Sequence, residues 1–233
     1  ATPGQGNWYT TGATNAQYTI ITEPNRGKVL SMFTNNPQQD QYFNVEKRNL
    51  TTLIDQRTTG NNVIKIEVDF YTGSKSSAKN APNVSGIGFL FDPPQNYTKP
   101  NTTLLNFSFI HNIGGINVLG FNGNGSISIV TVNNSFFLSF DTWYQLIFYL
   151  DYTNKKCYFE MPGMNITGHG DFLTLVNPAD FKLSKIALSM QVSNLTGNTK
   201  REQKYDNIKI IALKAVPPHL LSADSFFSEK FNV

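Results

Sequence analysis

Glu67 and Asp69 stand two residues apart in Val63–Tyr71, where apolar and polar residues alternate, so both carboxylates project from one face of an extended strand. Glycoside hydrolysis uses such a pair, one carboxyl as acid and one as nucleophile or base. The histidines His111, His169 and His219 are too widely spaced to form a local metal motif. No serine lies in a Gly-x-Ser-x-Gly turn, and no glycine-rich segment has the strand-to-helix setting of a phosphate loop. Cys157, the single cysteine, falls inside an expected strand, where a buried and inert thiol is anticipated. Asp92, Asp151 and Asp206 lie near turns and are the candidate metal ligands, because calcium accepts carboxylate and carbonyl oxygens from separate loops. Calcium is the one cofactor considered, and no catalytic residue is assigned.

Aromatic residues carry the non-enzymatic signal. The apolar face of a sugar ring stacks on an aromatic ring while Asn, Asp and Gln supply directional hydrogen bonds to its hydroxyls. Trp8, Tyr9, Tyr71, Tyr97, Trp143, Tyr149 and Tyr152 are available for stacking. Alternation turns Asp69, Tyr71, Gln145, Tyr149 and Gln191 toward polar surroundings, and these five form the candidate carbohydrate-binding set.

Two enzyme families share fragments with this sequence. Glu67-Val68-Asp69 is similar to the catalytic strand of glucanase-type jelly-roll hydrolases, in which a further Glu follows two or three residues on; Tyr71, Thr72 and Gly73 stand there instead. The missing acid removes that mechanism and leaves a solvated outward face. Phe109-Ile110-His111 resembles the Gln-Ile-His element of jelly-roll alginate lyases, where His and Tyr handle the proton α to a uronate carboxylate. The Gln is absent, as are that family's Arg-rich and Tyr-Phe-Lys strands, so His111 is expected at a strand end near solvent.

The elements that must position these groups are strands. Ile64, Ile66, Val68 and Phe70 alternate with polar residues, as do Tyr144, Leu146, Phe148 and Leu150, and Ile186, Leu188 and Met190. Gly114-Gly115 and 122–125 suit tight reversals between the expected strands 104–111, 116–121 and 126–132. Further strands are expected at 18–22, 28–33, 42–46, 84–91, 156–161, 164–168 and 205–213, with one helical turn within 176–181. About a dozen short strands without a long helical pattern give an all-β, antiparallel two-sheet sandwich or jelly roll.

With 233 residues, 15% charged and 39% hydrophobic, the chain is long enough for one large β domain. Its net charge of +3 is scattered rather than clustered, which argues against a nucleic-acid partner. Its apolar runs fall far short of the ~18 residues of a membrane-spanning helix. The first residues, Ala1-Thr2-Pro3-Gly4, fit a mature end left by a signal peptidase.

Asp141-Thr142-Trp143-Tyr144-Gln145-Leu146 through Asp151, followed by a turn and Lys156-Cys157-Tyr158-Phe159, resembles a hairpin of concanavalin A-like (laminin G-like) domains. Tyr205-Asp206-Asn207-Ile208-Lys209-Ile210 is similar to their closing strand, and Glu23-Pro24-Asn25-Arg26-Gly27-Lys28-Val29-Leu30 extends the likeness. The resemblance implies a concanavalin A-like jelly roll over 1–216, followed by an extension at 217–233. Leu220-Leu221-Ser222-Ala223-Asp224-Ser225-Phe226 and the following residues to Val233 resemble the junction before the C-terminal sorting domain of Bacteroidota type IX secretion cargo. That likeness implies a secreted or outer-cell-surface protein, partnered by the type IX machinery during export and associated with adhesion, gliding or polysaccharide use. The expected function is a non-catalytic, glycan-binding or adhesive domain. A jelly-roll lyase or hydrolase is the alternative, and a structural spacer without ligand the third option.

Overall fold

The computed structural model describes residues 8–12, 16–34, 41–55, 59–75, 84–95, 97–98, 102–130, 137–192 and 201–221. Among the described residues fourteen strands follow one another as β1 (Trp8–Gly12), β2 (Ala16–Glu23), β3 (Gly27–Thr34), β4 (Gln41–Lys47), β5 (Val63–Tyr71), β6 (Val84–Phe91) and β7 (Thr103–Ile110), then β8 (Gly115–Phe121), β9 (Ser126–Val130), β10 (Trp143–Asp151), β11 (Lys156–Met161), β12 (Ile166–Asp171), β13 (Leu183–Val192) and β14 (Arg201–Leu213). Helix α1 (Leu50–Asp55) links β4 to β5, and α2 (Pro218–Leu221) follows β14. The first sheet has the order β1-β4-β13-β6-β7-β8-β9 and the second β12-β11-β10-β5-β14-β3-β2, seven strands each and antiparallel throughout.

Side-chain alternation sends one set of each strand into the space between the sheets. Ile64, Ile66, Val68 and Phe70 of β5 meet Leu146, Phe148 and Leu150 of β10 in the core, as their spacing predicts. Phe148 lies 4.8 Å from Phe89 and 5.3 Å from Phe159 between ring centres, so aromatic rings from both sheets interlock. Ile208 is half-buried, as are Ile210 and Ala212 further along β14, and it lies where that strand shifts register between Asp206 and Lys209. Cys157 is fully buried, and burial pushes its thiol up to about 12.

Where the sheets' edges approach, glycine makes room. A Cβ at Gly168 of β12 would stand 2.6 Å from Val130 Cγ2, and one at Gly170 would stand 2.9 Å from Ile127 Cδ1 on β9. Strand β1 and helix α1 were not anticipated from the sequence. Helix α1 is short, and only Leu50 and Ile54 of it reach the core, too few for a helical period to show. The expected turn near 176–181 is a 3-10 turn at Pro178–Asp180, with the Asn177 side chain accepting from Ala179 N.

Beyond β14 the chain turns back over the outer face of the second sheet. Val216 and Leu220 are buried there against Val63, Ile147, Tyr149 and Tyr158. Residues 222–233, which carry most of the sorting-junction resemblance, lie outside the described residues. Among the described residues, no helix is long and apolar enough to cross a membrane.

Candidate functional site

The site is built on the outward positions of β5, β10 and β14 in the second sheet. Registry places Gln145 and Asp206 on either side of Asp69, and Trp143 and Lys204 on either side of Tyr71. The same alternation that drives Val68 and Phe70 inward therefore holds Asp69 and Tyr71 outward.

Two local irregularities complete it. Between β2 and β3 the turn Pro24-Asn25-Arg26 is closed by Arg26 N donating to Glu23 O, with Asn25 at φ 67° and Gly27 at φ 78°. Asn and Gly tolerate that left-handed region better than bulkier residues. On β14 the register shift after Asp206 puts Asn207 at φ 49°, and its Nδ2 donates to Asp69 Oδ2 at 2.8 Å. Arg26 reaches from its turn to donate Nη1 to the same oxygen at 2.8 Å and stands 3.7 Å from Asp206 Oδ2. Its guanidinium lies 4.0 Å from the centre of the Trp143 ring, while Trp143 Nε1 donates to Glu23 Oε2. Glu23 also accepts from Lys204, whose ammonium sits 4.6 Å from the Tyr71 ring centre.

Together Glu23, Pro24, Asn25, Arg26, Asp69, Trp143, Asp206 and Asn207 line an open cleft of about 520 Å³. Three of the stretches that carry the concanavalin A-like resemblance, 23–30, 141–151 and 205–210, each contribute residues to its walls, while 156–159 does not. Carboxylates and amides here can accept from and donate to vicinal hydroxyls, and an indole borders them. Tyr71, half-buried 5.4 Å from Trp143 between ring centres, donates its hydroxyl to Asp141. Its phenol is pushed up to about 12, chiefly by burial and then by Asp141.

Of the five candidate sugar-binding residues, Asp69 lines the cleft, while Tyr71 and Gln145 flank it on the same face. Tyr149 does not belong to an open surface. It is 1% exposed under Val216 and Leu220, and its hydroxyl donates to Glu160 at 3.0 Å. Burial, with Glu160 second, drives its phenol well above the usual range. Gln191 lies on β13, in the other sheet, so it shares no face with Asp69. Alternation reports which side of its own strand a residue occupies, and the sheet to which that strand belongs is a tertiary fact.

The three metal candidates do not converge. Asp92 pairs with Lys185 at 3.1 Å. Asp151 is buried and accepts from the backbone of Thr153 and Asn154, closing the β10–β11 turn. Asp206 stands beside Arg26, where a guanidinium supplies the countercharge a cation would. Among the described residues no three His, Cys, Asp or Glu side chains gather as a metal site requires.

His111, expected near solvent, is 3% exposed, with Nε2 2.5 Å from Ser85 Oγ and its ring edge against Phe109. The outward positions of β7 are Asn106, Ser108 and Ile110, with Asn106 Nδ2 donating to Ser108 Oγ. Glu67 bonds Lys65 at 2.6 Å, and that bond holds its carboxyl below the usual range, opposite to the shift a general acid needs.

Glu23, Arg26 and Asn207 were missed as site residues. Their signal was present as turn chemistry, Pro-Asn-Arg-Gly and Asp-Asn, but nothing local says that a turn at one edge lies over a bulge two strands away.

No family model and no curated protein matches this chain. Solved structures do resemble it in fold. Alginate lyase A1-II', a member of polysaccharide lyase family 7, superposes with a TM-score of 0.56 at 9% identity, covering 84% of each chain. Alginate lyase vAL-1 from Chlorella virus gives 0.53 at 10% identity, covering 89% of this chain and 95% of that one. A sialidase gives 0.54 at 13% identity over 88% of this chain, which spans only 17% of that protein's length. At these identities the likeness is one of fold: an antiparallel jelly-roll sandwich.

Proposed function

We propose that this chain is a non-catalytic carbohydrate-binding or adhesive domain that takes glycan in the cleft between Arg26, Asp69, Trp143 and Asn207. The observation that carries the reading is the convergence, in one cleft of about 520 Å³, of carboxylate, amide and guanidinium groups beside an indole. Jelly-roll neighbours that act on polysaccharide give the reading its context. The buried His111 and the low-titrating Glu67 favour binding over lyase or hydrolase chemistry. One aromatic wall and a few hydrogen bonds imply micromolar-to-millimolar affinity, about −4 to −8 kcal/mol.

A glycan array followed by NMR shift mapping tests this. Binding that moves the Trp143 indole and Asn207 amide signals, and is lost in Trp143→Ala, is the expected result. A spacer without ligand is the second reading, favoured by the internal pairing of Arg26 with Asp69 and of Lys204 with Glu23; an array with no hit would support it. Assays for unsaturated uronates and for new reducing ends are expected to be negative, and turnover lost in His111→Ala would install the lyase instead.

Export through type IX secretion, to the medium or the outer surface, is the cellular setting we propose, resting on the resemblance in 220–233. Retention of the full-length protein inside a type IX-deficient host, with release from the parent strain, is the expected outcome.

A further inference from the structure

The charges around the cleft narrow the class of glycan it can take, a selectivity that rests on the carbohydrate-binding reading. Three carboxylates line it, Glu23, Asp69 and Asp206, against one cation, Arg26. Arg26 is already committed, 2.8 Å from Asp69, 3.7 Å from Asp206 and stacked on Trp143. The neighbouring cation, Lys204, is held by Glu23, faces Glu202 at 3.8 Å and lies over Tyr71. A ligand carboxylate or sulfate entering here would find no uncommitted cation among these residues. It would also stand within a few ångströms of Asp69 and Asp206, where like charges repel.

A ligand ammonium is poorly served for the opposite reason. The position between Asp69 and Asp206, where two carboxylates would best receive it, is filled by the Arg26 guanidinium. What the cleft does offer is the pattern an uncharged polyol uses: carboxylate oxygens that accept from hydroxyls, and Asn25 and Asn207 amides that accept or donate. Hydroxyl-to-carboxylate bonds are charge-assisted without placing a second charge in the site.

We infer that the cleft selects uncharged glycans and rejects polyuronates and sulfated polysaccharides, with Asp69 and Asp206 as the residues that set this selectivity. The fold neighbours include alginate lyases, but at 9–10% identity that likeness is one of fold, and the ligand class is argued from the charge of this cleft alone.

The test is a titration of the isotope-labelled chain with oligosaccharides of matched length. Neutral cello-, xylo-, manno- and laminari-oligosaccharides form one arm, and oligomannuronate, oligoguluronate and oligogalacturonate the other. Each is run at low salt and at salt high enough to shorten the screening length to a few ångströms. The expected result is that at least one neutral oligosaccharide shifts the Arg26, Trp143 and Asn207 signals with a Kd about tenfold or more below that of any oligouronate. That gap should narrow in high salt and in Asp206→Asn, which removes one repelling charge while keeping the side chain's shape.

An oligouronate that binds the cleft as tightly as the neutral sugars overturns the selectivity and leaves the carbohydrate-binding reading standing. Failure of every oligosaccharide to move the cleft signals, or shifts confined to the other sheet around Ser108 and Gln191, overturns the binding reading itself. An unchanged ratio in Asp206→Asn removes that residue from the selectivity.

Discussion

The outer face of the second sheet is divided between two environments along the same strands. On β10 the outward positions run Trp143, Gln145, Ile147, Tyr149, and on β5 they run Tyr71, Asp69, Glu67, Lys65. One end is a charged cleft crossed by Arg26 from the β2–β3 turn. At the other end Ile147 and Tyr149 are roofed by Val216 and Leu220 from the chain beyond β14, with His219 Nε2 2.7 Å from Glu160 Oε2. Both ends are covered by a segment arriving from elsewhere, yet one cover is polar and open and the other apolar and closed. The chemistry of the arriving segment, more than that of the strand beneath, decides whether an outward tyrosine faces solvent, as Tyr71 partly does, or becomes core, as Tyr149 does.

The strongest way to break this comparison is to weaken what both ends stand on. Phe148→Ala, in the core beneath them, should cost about 3–5 kcal/mol in denaturant unfolding, and both ends should lose amide protection together. Leu220→Ala should cost about 2–3 kcal/mol and release the roof, seen as faster hydrogen exchange at 216–221 with the Trp143 indole signal unmoved. A shift of that signal would mean that the two ends are coupled.

At the cleft, Asp69→Ala removes the acceptor shared by Arg26 and Asn207, and should cost about 1–2 kcal/mol, less at high salt, while leaving exchange at 216–221 unchanged. His219→Ala should cost under about 1 kcal/mol, because its side chain is 60% exposed.

The smallest effect near neutrality separates the two tyrosines by pH. Each has its phenol raised in the folded chain, Tyr71 to about 12 and Tyr149 further, so each contributes stability that is complete below the unfolded value near 10 and fades as pH rises through the folded value. In an alkaline titration followed by tyrosinate absorbance, Tyr71→Phe should lower the amplitude of the change near pH 12, where Tyr18 also titrates. Tyr149→Phe should leave that amplitude unchanged.

The sequence determined the sandwich. Alternation along β5, β10 and β13 placed Ile66, Phe148 and Leu188 inside, since a period of two admits one buried face per strand. It also turned Asp69 and Tyr71 to one side of β5 and Gln145 to one side of β10, while the pairing of those two strands is what gives the three a common face. A trace of the roof was present as well: Ile147 and Tyr158 are apolar at outward positions, and Val216 and Leu220 are apolar in a short tail. Such residues mark a covered surface only once it is known that the tail returns to them.

The tertiary structure alone decided that Gln191 belongs to the opposite sheet, that His111 turns inward to Ser85, and that Arg26 spans from a β2–β3 turn to Asp69 and Trp143. The physical reason is range. Side-chain alternation and turn chemistry are set by residues a few positions apart, whereas strand order and the landing place of a turn depend on contacts between segments far apart in the chain, 43 residues for Arg26 and Asp69.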